Sequence, residues 1–459
     1  GQVGVDEAIT THTTASLVAT PSHVLGEGHW SFRTTQSWVQ GNKHAGLRKQ
    51  SRTTFDDFGD PIANEVYLES SQPLLWKDPS VPPIAPLSDG WYPTGRTVYD
   101  AVGNAVFTWA AGNRCAAVTF DNDYWQLPIL EHVYVGAEGS KVVEGQAFVC
   151  GQSALTAQAN YDRGLQAVVD VIDINQGMTL VQYDPLGRMK AMWAPNPHAA
   201  GPSGQPSLKV EYHLPDTTNR PVSMLVSRTQ DGADHDVAEY HESYAYVDGL
   251  GRTVATLSEA DPVDDGFSWV VEGLTDYDAK GAERRKYLAW TYDGNPEQYD
   301  LSVASPAKYG QQRYDAFGRA IQMQGLDGTV TLFTKYHALS ADAWDAEDLG
   351  PGPHQGTYAS ERKDGHGRVV ETTERVKENG SIQARHVRVQ YLPTGEPKSI
   401  TRHGSGQSVG RTMHYDSLGR MVLNLEPNLG ADGWRYLYDA AGDLVATSDP
   451  RKCGVRFGY

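Results

Sequence analysis

The sequence predicts an all-β chain: repeated antiparallel β-hairpins forming a long curved sheet, with few short helices. Three observations predict it. A turn hexamer recurs along the chain, apolar and polar residues alternate after each copy, and the composition favours turns and flat side chains. With 47 Gly, 24 Tyr and 11 Trp, the chain has no long run of Ala, Leu, Glu and Lys at helical spacing. A hydrophobic fraction of 39% over 459 residues is enough to bury a core.

The hexamer is an aromatic or other strand residue, Asp, two variable residues, Gly and a polar residue. It reads FDDFGD at Phe55–Asp60, YDAVGN at Tyr99–Asn104, YDPLGR at Tyr183–Arg188, VDGLGR at Val247–Arg252 and YDAKGA at Tyr277–Ala282. It returns as YDAFGR at Tyr314–Arg319, KDGHGR at Lys363–Arg368, YDSLGR at Tyr415–Arg420 and YDAAGD at 438–443, and YLPTGE at Tyr391–Glu396 keeps the Tyr and Gly without the Asp. Asp opening a type I turn is expected to accept from the N–H groups two and three residues on. Gly in fourth place takes a positive φ without steric cost, and Pro185 has its φ already set for the second place. The residues assigned to this turn framework are Tyr183, Asp184, Gly187 and Arg188; Asp248, Gly251 and Arg252; Tyr314, Asp315, Gly318 and Arg319; Asp364, Gly367 and Arg368; and Tyr415, Asp416, Gly419 and Arg420. The arginines, always placed just after the turn glycine, are expected to contact acidic or aromatic neighbours between stacked hairpins.

Strands follow the turns. RTVATL, RAIQMQ, RVVETT, RMVLNL and DLVATS alternate with period two and are rich in β-branched residues, the pattern of a strand with one buried face. Copies at 391, 415 and 438 lie 24 and 23 residues apart, which fits two strands and two turns; the interval from 277 to 314 is 37 and needs longer hairpins. A single hairpin is not stable alone, so the units must share a core.

The chain divides into residues 1–50, an irregular or β segment without repeats, and residues 51–459, the repeat region. Loop inserts are expected near 72–93, 195–207 and 349–356, where Pro and Gly cluster. Two stretches have a helical reading: Leu155–Ile172, weakened by Gly164 and its β-branched tail, and a short helix capped by Ser340, running through Asp348 and closed by Gly350.

Charge narrows the partners. Thirty-nine basic against 57 acidic residues give −18, and no basic stretch offsets it, which argues against nucleic acid or an anionic membrane surface. No apolar run approaches the ~18 residues of a spanning helix. The first residues, GQVGVDEAIT, lack the pattern of a secretion signal and read as a cut through a larger protein. Cys115, Cys150 and Cys453 are too few and scattered for a disulfide framework or a zinc site; one bridge stays open.

The hexamers resemble the RHS/YD-repeat family, whose signature is Tyr-Asp-x-x-Gly-Arg followed by a strand. Longer segments are similar to the B components of insecticidal toxin complexes: YWQLPILEHVYV at Tyr124–Val135, the stretch Asn219–Arg252, and Gln312–Gly350 with its Trp-Asp-x-x-Asp piece at Trp344–Asp348. That resemblance implies a ribbon wound into a hollow shell around a toxic polypeptide, secreted from a bacterium and assembled with other toxin-complex subunits. The family's repeat core ends in a self-cleaving aspartyl-protease motif. Here SDPRKCGVRFGY has Asp449 and Pro450 but lacks the glycine-rich continuation, and no propeller is recognisable. The expected role is therefore a structural shell segment without enzymatic activity, cofactor or metal. Related repeats also occur in adhesion proteins, so the alternative is an extracellular module that binds carbohydrate or protein.

Other motifs have a plainer structural reading. GQSVG at Gly406–Gly410 matches the serine-hydrolase elbow around Ser408, near His403, but its flanks read strand–loop–strand rather than strand–turn–helix. Asp231–Asp236, Asp261–Gly266 and Asp342–Asp348 are acidic but lack EF-hand spacing, and read as solvated turns. His241 and Glu242 are adjacent and so face opposite sides of a strand. Trp91, Trp109, Trp125, Trp193, Trp269, Trp290, Trp344 and Trp434 suit sugar platforms, though strand tryptophans more often pack against cross-strand neighbours.

Overall fold

The computed structural model describes residues 8–19, 30–42, 48–68, 90–215, 222–232, 237–298, 308–428, 432–439, 441–451 and 453–458. Among them the chain is almost wholly β. An 18-stranded sheet holds the strands from Ile9 to Glu272 together with Trp290–Tyr292, and a 15-stranded sheet holds Thr275–Tyr277, Glu283–Tyr287 and the strands from Tyr309 to Arg456. Sequential strands pair antiparallel, as in Ser223–Gln230 with Tyr240–Val247, which in turn pairs through a short turn with Thr253–Glu259.

The chain forms two compact units, one of Gly1–Thr156 with Ala359–Tyr459 and one of Ala157–Tyr358. In the second, alternation places two cross-strand rows in the core: Met224 opposite Tyr246, itself opposite Ala255, and Val226 opposite Tyr244, itself opposite Leu257. All six are buried, with Val271 and Leu274 completing the cluster and Trp269 and Trp290 packed against it. The first unit has a smaller core of Val98, Phe107, Cys115, Phe148 and Cys150.

Both helical readings are corrected. Leu155–Ile172 is extended: it ends the strand Gln146–Asp162, turns, and returns as Ala167–Ile172 in antiparallel register. Cross-strand pairing decides a segment whose β-branched tail already disfavoured a helix. Ser340 begins a strand, Ser340–Asp345, and the helix is one turn, Ala346–Leu349, capped by Asp345 through the N–H groups of Glu347 and Asp348, with Gly350 as its C-cap. The strand paired with Val330–Tyr336 occupies the residues that would have made the first turns.

Residues 8–19 and 30–42 of the N-terminal segment are a long hairpin, Ile9–Ala19 with Trp30–Gly41. The insert at 72–93 lies outside the described residues up to 89, and Trp91 already begins a strand. Residues 195–207 form an irregular loop bridged at Pro195 and Pro202, and 349–356 follow the helix as turns.

Candidate functional site

Each Tyr-Asp hexamer builds the same turn. Asp184 N–H donates to the Arg188 carbonyl at 2.9 Å, and Gly187 N–H donates to the Asp184 carbonyl at 2.9 Å. The same pair of bonds closes the turns at Asp248, Asp315, Asp364 and Asp416. Gly187, Gly251, Gly318, Gly367 and Gly419 all have φ between 77° and 81°, and a register shift falls beside Tyr183, Val247, Tyr314, Lys363 and Tyr415. This is a type I turn followed by a glycine bulge, the three-residue hairpin loop whose αL position calls for glycine.

The aspartate does one thing differently from expectation. Its Oδ1 accepts from the N–H groups two and four residues on, as in Leu186 at 2.9 Å and Arg188 at 3.0 Å for Asp184. The third N–H belongs to the glycine and is spent on the main-chain carbonyl. The αL glycine reverses the chain, so the following N–H points back to the carboxylate.

The arginine then links one hairpin to the next. Arg252 Nε and Nη2 donate to Asp248 Oδ2 at 2.8 and 2.6 Å, its Nη1 donates to the Gly281 carbonyl at 3.3 Å, and its guanidinium lies 3.9 Å from the Tyr277 ring centroid. Arg188 lies over Tyr212, Arg319 over Tyr336, Arg368 over Tyr391 and Arg420 over Tyr438, at 4.3 to 5.0 Å. Each of these tyrosines donates its hydroxyl to the carbonyl just after the arginine it carries: Tyr212 to Met189, Tyr277 to Thr253, Tyr336 to Ala320, Tyr391 to Val369 and Tyr438 to Met421. A rung is thus one Asp, one Arg and the Tyr of the next hairpin. Tyr183, Tyr314 and Tyr415 donate their hydroxyls to the carbonyls of Val168, Glu283 and Pro397.

The charges are shaped by these contacts. The Arg188 guanidinium holds the Asp184 carboxyl below its ordinary value, and Arg252 does the same for Asp248. Burial pushes Asp364 up, but the Arg368 N–H, its guanidinium and the His366 N–H more than offset it, so Asp364 also lies low.

Sequence reading missed several members. Asp173 forms the same turn, accepting from Asn175 and Gly177 at 2.8 Å, with Gln176 at φ 69° where glycine normally stands. Asp449 accepts from Cys453 N–H at 2.8 Å and donates its own N–H to the Cys453 carbonyl, so Asp449 and Pro450 belong to a further turn of this type. At Leu392 the backbone closes alone, without a carboxylate. The spacing of Asp with the residue four places on was the usable signal; the glycine requirement hid the copies at Asp173 and Asp449, while YLPTGE at Tyr391–Glu396 was already legible. Asp121, 5% exposed, is a different hub, accepting from Asp123, Tyr124, Gln126 and Leu127 N–H groups.

Of the remaining candidates, Ser408 and His403 are brought side by side across one strand pair. Ser408 lies on the strand Gln407–Tyr415, opposite His403 in register, after a tight Ser405–Gly406 turn with both φ positive. The elbow's following helix is absent there. Asp261 bonds the N–H groups of Val263 and Asp264, Asp345 caps the helix, and residues 233–236 lie outside the described residues. Glu242 pairs with Arg228 at 2.5 Å while His241 faces the other way. Trp91 carries Arg52 at 4.5 Å, Trp269 meets Tyr244 edge-on at 5.3 Å, and Trp344 stacks on Tyr358 at 4.5 Å. Trp125 and Trp434 are the more open ones, at 45% and 38% exposure.

Within the first unit the turns of the last repeats meet the early strands. Arg114 pairs with Asp443 at 2.5 Å, Lys49 with Glu396 at 3.6 Å, and the buried Ser417 donates to the Tyr67 carbonyl at 3.0 Å. Between them lies a cavity of about 550 Å³ lined by Ser37, Val39, Ser51, Val66, Tyr92 and Thr94 on the strand side and by Leu418, Ala441 and Gly442 on the turn side. Lys49, Arg114 and Arg420 also line it, each tied to a carboxylate.

No family model and no curated protein matches the sequence. Among solved structures, the chain is similar to a crystal structure of TcdB2-TccC3, with 15% identity over 96% of this chain and 32% of that one, at a TM-score of 0.46. It is similar to TcdB2-TccC3-Cdc42, with 14% identity over 96% of this chain and 34% of that one, TM-score 0.46. A third is the Photorhabdus luminescens Tc holotoxin pore carrying a TccC3 substitution, with 14% identity over 97% and 34% of the two chains, TM-score 0.46. The chain spans about a third of the length of these solved chains.

Proposed function

We propose that the chain is a structural shell segment of a bacterial RHS-type toxin, enclosing or scaffolding a toxic polypeptide for delivery, and not an enzyme. The observation that carries this reading is the rung of Asp, Arg and Tyr repeated from hairpin to hairpin, as in Asp248, Arg252 and Tyr277. Each rung stiffens a junction between hairpins and satisfies the turn's polar groups within the ribbon, which is what a wall requires. Continuous strand pairing removes interior edges, so a cargo chain held against such a wall has little to pair with. The resemblance of the YD repeats supplies the rest: secretion, other toxin-complex subunits as partners, and a polypeptide cargo.

Electron microscopy of the full-length parent protein tests the reading. A hollow body with internal density supports it; a solid or open β structure overturns it.

The cavity favours a second reading, an extracellular carbohydrate-binding module. Its lining offers an aromatic ring on Tyr92 and hydroxyls on Ser37 and Ser51, and its cations are already paired, a combination that suits a neutral polyol better than an anion. A glycan screen with Tyr92→Ala as control separates the two readings: specific binding lost in the variant moves the module to first place.

A further inference from the structure

The hairpin of Pro128–Val143 and Gln146–Asp162 has the longest strands among the described residues, and it does not lie flat. Its first part pairs with Arg114–Phe120, placing Cys115 opposite Tyr134. The turn is the two residues Glu144 and Gly145, both at positive φ, so in a straight hairpin Cys150 stands opposite about residue 139. Five residues of strand at ~3.3 Å each then put it ~16 Å along from Cys115. Yet the two Cα atoms are 5.7 Å apart and the sulfurs are bonded. The hairpin must therefore fold back over the sheet.

Glycines mark the fold. Gly136 has φ 85°, and a Cβ on Gly151 would run into the backbone of Val135. Beyond the fold, Phe148 packs on Phe107 at 4.8 Å and Lys141 Nζ sits 4.1 Å over the Tyr134 ring. Phe107 and Val98 are 1% and 4% exposed beneath it, whereas Val142 and Val149 on the hairpin are 67% and 44% exposed. The arrangement is a flap with one apolar side down, tied by a single covalent bond at Cys150, beside the fold at Gly151 and two residues from Phe148.

We propose that residues 136–151 are a redox-gated flap: the Cys115–Cys150 disulfide locks it over Phe107, and a dithiol reductant releases it. In the step, a thiolate of the reductant attacks one sulfur, its second thiol closes the reductant's own disulfide, and two electrons and two protons pass to Cys115 and Cys150 as free thiols. Both cysteines are buried, at 3% and 1% exposure, so attack follows transient lifting of the flap. Release stays local because the pairing of Arg114–Phe120 with residues 128–134 does not depend on the tether.

Hydrogen exchange on the full chain, with and without a dithiol, tests this alongside thiol alkylation. Alkylation of the unfolded protein is expected to add one label without reductant, at Cys453, and three after reduction. Reduction is expected to speed exchange across 136–151 at least tenfold and to leave the core strands at 223–258 unchanged. A double variant, Cys115→Ser with Cys150→Ser, is expected to show the same local release without reductant. Three labels without reductant, an unchanged flap after full reduction, or loss of protection throughout 223–258 each overturns the proposal.

Discussion

Replacing a turn glycine by alanine separates backbone strain from crowding, because two equivalent positions differ only in their surroundings. Gly318 and Gly419 have φ 80° and 79°, the region that costs an L-residue about 1–2 kcal/mol. Around Gly318 a new Cβ meets nothing within 4 Å, so Gly318→Ala is expected to cost only that strain. At Gly419 the Cβ lands on Glu396 Oε1 and comes within 3.2 Å of Lys49 Nζ. Glu396 is 14% exposed in its side chain and paired at 3.6 Å with Lys49, itself 51% exposed, so moving it displaces a largely buried carboxylate from a half-exposed partner, at about 1–2 kcal/mol more. For units of roughly 200–250 residues, 1 kcal/mol shifts the melting temperature by about 2–4 °C. Gly318→Ala is then expected to lower Tm by about 2–8 °C and Gly419→Ala by a further 2–8 °C, read by circular dichroism. The same measurement in a Glu396→Ala background removes the second component alone, as a double-mutant cycle requires. An unchanged Tm in Gly318→Ala refutes the turn assignment; an excess at Gly419 that survives without Glu396 refutes the account of crowding. Gly318→Val, whose β-branch is less tolerant of this φ, is expected to cost more than the alanine.

Other perturbations follow from the same contacts. Asp184, Asp248 and Asp364 have folded-state pKa values below the ordinary 3.8, so their contribution is fully present above that value and is lost as pH falls through the depressed ones. Tm is expected to hold from pH 7 to about 5 and fall below about 4, less steeply in Asp248→Asn; a decline confined to pH 5–7 contradicts this. Arg252→Lys keeps the charge but loses the two-pronged bond to Asp248 and the stacked plane over Tyr277, and is expected to cost about 1–2 kcal/mol in denaturant titration. Asp121→Ala strips an acceptor from four N–H groups and is expected to cost about 2–4 kcal/mol, with Asp121→Asn intermediate; equal loss in both variants rules out the oxygen acceptor as the cause.

The turns were legible because their chemistry is local. Asp184, Gly187 and Pro185 act within five residues, and period-two alternation in RTVATL or RMVLNL marks strands whatever lies beside them. Local rules also set the limits. Asp173 and Asp449 escaped notice because backbone bonds close those turns without the glycine, and the segment 155–172 looked helical until its strand partners were in place. The purpose of each repeated arginine needed the next hairpin, since Tyr277 and Tyr438 lie 25 and 18 residues beyond Arg252 and Arg420. Three cysteines in the sequence left one bridge open; only the fold-back of a hairpin brings Cys150 to Cys115 across 35 residues. The cavity is further still from the sequence, with Arg114 and Asp443 separated by 329 residues. Turn and strand identity follow from torsional preference and hydrogen bonds along the chain; the rungs, the flap and the cavity follow from which hairpins pack side by side, and that is settled by tertiary contact.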